Sequence, residues 1–489
     1  MTTTDVAAGT AFYSALQSKA MDAVKDIFKS ELVPVQYPAQ GDFCWNWQNA
    51  NGVLNDATYQ YINALAGPGQ VPGTVALSSG GGFANAYVAV LNAMEYALSA
   101  ADQQKLNQAQ SNASLQAQTI VSDYQSSFGT ITDAQLSAAG TTQKVDFVIG
   151  HVLGTQWSGS TPPLTYSQMA AARNLKSILP QAPAGGDQVI TDVVTYLNIM
   201  QPVNALSDEL QNGAWMLSQL KANAMTPSAA NGGQQTFNPS NGAVSGKYNV
   251  GWSVNTSVQS ISNDLQNTSR TITISMQTEE SSGSTLGVQI SGEAGFTVGS
   301  WLEFSTEAKG SYDMSKAQGT STQCSATITY AGYSMVAMAP AAWQQATNVG
   351  FFWSDPINQA VANEGQDVTG FRFVSTPPYS MGALAQGGGF GLLTNLLIAN
   401  YPTVEITYTH ADYHSFEQDW SESITGDLTL FGFIKLGSFS QGAYGSSVSA
   451  GSDNSTFTVK FTPSPQMVNQ PQALKTAFVI AGAVENPGA

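Results

Sequence analysis

Arg270–Met276 reads RTITISM. Hydroxyl and apolar residues alternate, and four of the seven are β-branched, as two Thr-Ile pairs. A period of two places one set on each face of a strand. Such residues also suit a pleated, half-buried surface. The same alternation returns at Thr327–Tyr330 (TITY), Thr403–Thr409 (TVEITYT) and Thr456–Thr462 (TFTVKFT).

Upstream the period changes. Ala11–Leu32 places Phe12, Leu16, Ala20, Ala23 and Ile27 on one helical face. Phe83–Phe128 runs without proline, with apolar ends (Val88, Leu91, Met94, Leu98; Leu115, Ile120, Val121) and a middle rich in Gln and Asn. Asp187–Met225 carries Val189, Val193, Val194, Leu197, Leu206, Leu210, Met216, Leu217 and Leu220. Each of these two segments would reach about 60 Å as one helix, and Pro202 should kink the second. Shorter helices are expected at Lys144–Gly154 and Tyr166–Leu179. The period switches near residue 230, where Pro227–Gly246 (PSAANGGQQTFNPSNGAVSG) has turn chemistry throughout. The sequence therefore predicts an α+β chain. A helical domain with long helices spans 1–228, a linker 229–246, and a β-rich domain of long antiparallel hairpins 247–489, as a sandwich or sheet. Short helices are expected inside Trp343–Val368 and after Gly387–Gly389, over Phe390–Asn400.

The β-rich half holds a possible duplicated hairpin, 292–330 and 426–461. The first leads with Phe296, Val298, Leu302 and Phe304 and returns at Ala326–Tyr330. The second leads with Leu428, Leu430, Ile434 and Leu436 and returns at Phe457–Phe461. Both carry Ser/Gly-rich tracts between lead and return.

Composition narrows the function. Of 489 residues, 16 are basic and 33 acidic, giving a net charge of −17. Charged residues make up 10%, against about 25% in ordinary soluble domains. At 42% hydrophobic and 10% aromatic the chain can bury a core. The basic surface that phosphate backbones require is missing, so no nucleic-acid partner is expected. The deficit is even, with 8 basic and 15 acidic groups up to residue 230 and 8 and 18 after it. Such a surface relies on amides and hydroxyls and suits contact with another surface, because few ions need desolvation. The length suggests two or three domains. No apolar run approaches the ~18 residues of a membrane helix, and the nearest, Met335–Trp343, contains Pro340. The opening Met1–Asp5 (MTTTD) has neither a basic nor an apolar leader region. A cytoplasmic location, or export without a cleaved leader, is expected.

Chemistry-bearing residues are scarce. Cys44 and Cys324 form no framework and no zinc pattern; two reduced thiols are expected, a long-range disulfide being the alternative. Two of three histidines fall in Thr409–His414 (THADYH). On a strand His410, Asp412 and His414 share a face and could ligate a metal. Consecutive same-face residues lie ~7 Å apart, so the outer two would be ~13 Å apart and could share an ion only across a bulge or turn. His151 reads as a core histidine. Gly80–Gly82 and Gly387–Gly391 match no phosphate-cradling loop. Glu303 with Glu307, and Glu417 with Glu422, are carboxylate pairs without supporting context. No nucleophile elbow is present. No catalytic residue and no cofactor are expected.

These features favour a non-enzymatic, membrane-active protein of the pore-forming toxin type. A membrane strand needs ~9–11 alternating residues, and the stretches through Phe296, Val298, Leu302 and Phe304, and through Leu428, Leu430, Ile434 and Leu436, have about that length. Glu303 and Lys435 would then face a lumen. The expected partners are the chain itself, as a homo-oligomer, and a lipid membrane. One alternative is a self-assembling structural or packaging protein forming a filament, ring or shell. Another is a metal-dependent or carbohydrate-directed enzyme using His410, Asp412 and His414.

Overall fold

The computed structural model describes residues 32–35, 43–49, 52–69, 75–78, 81–153, 186–277, 279–281, 285–288, 296–297, 303–304, 312–313, 323–409, 413, 428–430, 434–436, 444–452, 454–463 and 475–488. Long helices and antiparallel sheets make it an α+β chain. It divides into two compact units. One comprises Met94–Leu217 with Ala362–Val374; the other comprises Met1–Ala93, Ser218–Val361 and Ser375–Ala489. These boundaries do not follow the division anticipated at 228. Residues 33–92 contribute short strands to the unit that holds the C-terminal strands, and residues 229–246 contain the buried strand Thr236–Phe237.

The smaller unit is built on helices α1 (Ala100–Phe128), α2 (Lys144–Leu153) and α3 (Gly186–Met225, to Leu217 in this unit). The buried residues of α1 are Leu106, Ala113, Ile120 and Tyr124. Their spacing of seven, seven and four makes a narrow seam, which suits a helix whose other positions are mostly Gln, Asn and Ser. Ile120 and Tyr124 join Val148 and Ile149 of α2 and Val189, Ile190, Val193 and Leu197 of α3 in one core. Leu106 packs with Leu98 and Val203 in a second. Each fully buried aliphatic side chain contributes ~1.5–3 kcal/mol. The 40 residues of α3 are helical through Pro202, which does not end the helix.

The proline-free segment Phe83–Phe128 is not one helix. A helix Gly82–Asn92 stops, Met94–Ala97 forms a strand, and α1 starts afresh behind the N-cap Ser99, whose side chain accepts from Asp102 N. The break is set from outside the segment, because Met94–Ala97 pairs antiparallel with Gly370–Phe373. A glycine tract opens the first of these helices for a local reason. Gly82 has φ +71°, and an added Cβ would collide with Asn63. Asn63 Oδ1 accepts from Ala84 N at 3.2 Å. The chain itself thus satisfies this helix start.

The larger unit holds an eight-stranded sheet whose path runs Val33–Pro34, Thr476–Glu485, Gly391–Ala399, Tyr333–Pro340 and Trp252–Val254. Phe390–Asn400, anticipated as a helix, is largely the central strand Gly391–Ala399. Leu392, Leu393, Leu396, Leu397, Ile398 and Ala399 are all buried. A strand covered on both faces loses its alternation and then reads like a buried helix. The helix anticipated within Trp343–Val368 is Asp355–Ala362. Cys44 is a free, buried thiol; Asn55 Nδ2 donates to its Sγ at 3.3 Å, and burial pushes its pKa up.

The second sheet of this unit has five strands: β1 (Thr271–Gln277), β2 (Gln323–Ala331), β3 (Thr403–Thr409), β4 (Tyr444–Ala450) and β5 (Thr456–Pro463). Their order is β4-β5-β3-β2-β1, antiparallel throughout. The chain passes to the eight-stranded sheet through Gly332, between β2 and Tyr333–Pro340, and returns through Asn400–Pro402 into β3.

Candidate functional site

The alternation read in RTITISM governs the whole five-stranded sheet. Ile272, Ala326, Ile328, Tyr330, Val404, Ile406, Tyr408, Phe457, Val459 and Phe461 are buried. The residues between them are mostly threonine and serine and lie at least partly in solvent. On that outer face Thr407 and Thr458 hydroxyls meet at 2.8 Å, and Ser275 and Thr327 at 3.4 Å. Glu405 pairs across the strands with Lys460 at 2.7 Å, with both side chains more than 40% exposed, so this pair adds at most ~1 kcal/mol. The sheet therefore has one apolar and one hydroxyl face.

Register fixes which ends of the strands lie together. Ser325 pairs with Gln277, Gln323 with Thr409, and Thr409 with Thr456. The ends of β1 and β3 and the starts of β2 and β5 thus form one edge. The connection 278–322 leaves this edge from β1 and re-enters it at β2. The connection 410–443 leaves the same edge from β3 and leads to β4. Two separate Ser/Thr/Gly-rich segments therefore start from neighbouring positions on one sheet.

The pairing within these segments differs from the two long hairpins of the duplicated reading. The return strand Ala326–Tyr330 pairs with Ile272–Met276, and Phe457–Phe461 pairs with Val404–Tyr408. In the first segment Glu279–Ser281 pairs with Thr285–Val288, which pairs with Phe296–Thr297, while Glu303–Phe304 pairs with Tyr312–Asp313. Phe296 and Phe304 therefore stand in separate short ladders; Val298 and Leu302 lie outside the described residues. In the second segment register sets Leu428 opposite Leu436 and Leu430 opposite Ile434, with Thr429 opposite Lys435 between them. Those four candidates come together in one hairpin. The strand Glu303–Phe304 packs beside Leu428–Leu430, so the two segments meet.

His410, Asp412 and His414 lie outside the described residues. Between them, Tyr413 is helical, and its ring packs on Phe457 at 5.8 Å. Strand β3 ends at Thr409. Among the described residues no group of three or more His, Cys, Asp or Glu side chains could hold a metal ion. His151 packs edge-on against Tyr124, with ring centroids 5.9 Å apart, and burial lowers its pKa. Among the described residues no helix is long and apolar enough to cross a membrane.

Sequence reading missed that the four alternating strands are neighbours and that both segments share an edge. Its available signal was the recurrence of threonine at every second position in each strand. In comparisons with known proteins no family model matches the chain, no curated protein matches it, and no solved structure matches it.

Proposed function

We propose that the chain is a non-enzymatic, membrane-active protein of the pore-forming type. The supporting observation is the shared edge. Two segments, 278–322 and 410–443, emerge side by side from a sheet that is apolar on one face and hydroxyl-lined on the other. A membrane β-barrel wall needs that polarity, apolar toward lipid and polar toward the lumen. A crossing strand takes ~9–11 residues, and each segment is long enough for two with a turn. The pairs Leu428–Leu436 and Leu430–Ile434 flank Thr429–Lys435 in the same alternation.

Assembly with further copies accompanies this reading. Among the described residues β1 and β4 each pair on one side only. A sheet edge offers unpaired amides and carbonyls to another chain, and joining β1 of one copy to β4 of the next is a head-to-tail contact that closes into a ring or runs on as a filament. The test is dye release from liposomes of varied lipid composition. Wild-type protein should release dye. A variant with Leu428, Leu430, Ile434 and Leu436 all changed to serine should keep its circular dichroism and lose release. Absence of release by wild type on every lipid mixture, with rings or filaments in negative stain without lipid, would favour the self-assembling structural role instead.

A further inference from the structure

The facing sides of α1 and α3 carry two carboxyls. Gln116 and Asp123 stand seven residues apart on one face of α1. Asp192 of α3 is buried, at 7% exposure. Its Oδ1 accepts from Gln188 at 3.1 Å and from Gln116 at 3.4 Å, and Gln116 also donates to its backbone carbonyl at 3.3 Å. Its Oδ2 is buried and has no donor, while the Asp123 carboxyl lies within hydrogen-bonding reach. The surroundings are apolar: Ile120 and Tyr124 on one helix, Val189, Ile190 and Val193 on the other.

Two ionised carboxylates in this setting offer only acceptors and repel each other. A single proton between them converts the contact into a short, charge-assisted O–H···O bond. We propose that Asp123 and Asp192 share one proton and form a pH-sensitive clasp between α1 and α3, closed in acid and released as the pH rises. Other titratable groups on the helices of this core are Tyr124 on α1, Asp133 on the helix Asp133–Ala138, Lys144, Asp146 and His151 on α2, and Asp187 and Tyr196 on α3. Besides burial, the groups that shift Asp192 are Asp123, Gln188 and Gln116. Burial, and then Asp123, raises the pKa of Asp192. A raised carboxyl pKa stabilises the folded unit fully below the ordinary carboxylate range, and that stability is lost as pH rises through the raised value.

The clasp is independent of the membrane reading. Its test is amide exchange of residues 113–124 and 188–197 in the full chain, at pH 5 to 8, corrected for the intrinsic pH dependence. Wild-type protection should fall by up to about tenfold per pH unit between the ordinary carboxylate range and the raised pKa, and level off above it. Asp192→Asn and Asp123→Asn each supply a permanent amide donor and should flatten this dependence. Position 123 is half-exposed, so Asp123→Asn decides the matter should Asp192→Asn fail to fold. Wild-type protection that does not fall with pH, or Asp123→Asn protein keeping the wild-type slope, would overturn the clasp.

Discussion

Asn400 donates its side-chain amide to the carbonyl of Ala331 at 2.8 Å, tying the entrance of β3 to the exit of β2. The same amide reaches Leu265 O at 2.7 Å, and Asn400 N donates to Gly332 O at 3.0 Å. Gly332 N in turn donates to Arg270 O at 2.8 Å. The Arg270 guanidinium sits over the Tyr333 ring at 4.2 Å and pairs with Asp264 at 3.1 Å. This corner is where the chain passes between the two sheets of the larger unit, at the opposite end of the strands from the edge that launches the two long segments.

Asn400→Ala should therefore destabilise the larger unit by ~2–3 kcal/mol, since two backbone carbonyls lose their donor. Gly332→Ala should cost more. Gly332 has φ +68°, and a Cβ there would collide with the Leu265 backbone, so strain adds to overpacking. Chemical denaturation followed by tryptophan fluorescence measures both. Equal, small losses for the two variants would show that the corner does not pin the sheets.

In the smaller unit, Gly213 of α3 lies against the ring of Tyr96, and a Cβ at 213 would run into that ring. Tyr96 is also held by its hydroxyl, which donates to Glu209 Oε1 at 2.6 Å, and by Phe371, edge-on at 5.0 Å. Gly213→Ala should lower stability by ~1–3 kcal/mol, although alanine is the better helix former by ~1 kcal/mol. A stabilised variant in thermal unfolding would mean that the ring moves aside freely.

How much of this could be read from the sequence depended on what each element packs against. RTITISM and its three relatives are amphipathic strands, so their own alternation revealed them. Gly391–Ala399 is buried on both faces and carries no period, which is why it passed for a helix. Met94–Ala97 is a strand only because Gly370–Phe373 pairs with it, and nothing near residue 94 signals a partner more than 270 positions away. The shared edge was likewise hidden, because it is a property of strand order. Threonine alternation marks a face but does not say which strands are neighbours. The clasp was illegible for the same reason, since Asp123 and Asp192 meet only once α1 and α3 pack.

Asp102 gives the smaller unit an acid limit. Hydrogen bonds from Lys105 (2.8 Å) first, then from Thr369 (2.6 Å) and Ser99 (3.1 Å), hold its carboxyl down at about 2. A lowered carboxyl pKa adds stability above the ordinary carboxylate range, and that contribution is lost as pH falls through about 2. Acid titration of helix content should therefore show wild type losing stability between about pH 4 and 2, with a shallower fall for Asp102→Asn. Coincident curves would remove Asp102 from the acid transition.

Phe457 sits at the root of the 410–443 segment. It is buried on β5, stacks on Tyr408 of β3 at 4.9 Å and meets Tyr413 at 5.8 Å. Truncation of a buried phenylalanine to alanine costs ~3–5 kcal/mol through lost transfer energy and the cavity left behind. Phe457→Ala should weaken the unit by that amount and also release Tyr413, the first described residue beyond β3. Lys435 is the sole lysine or arginine between residues 410 and 443, so trypsin reports on this segment at one bond. Cleavage after Lys435 should be faster in the variant, and dye release from liposomes should begin sooner, because less packing holds the segment at the edge. Faster cleavage without earlier release would separate the anchoring of the segment from membrane activity and count against the pore-forming reading.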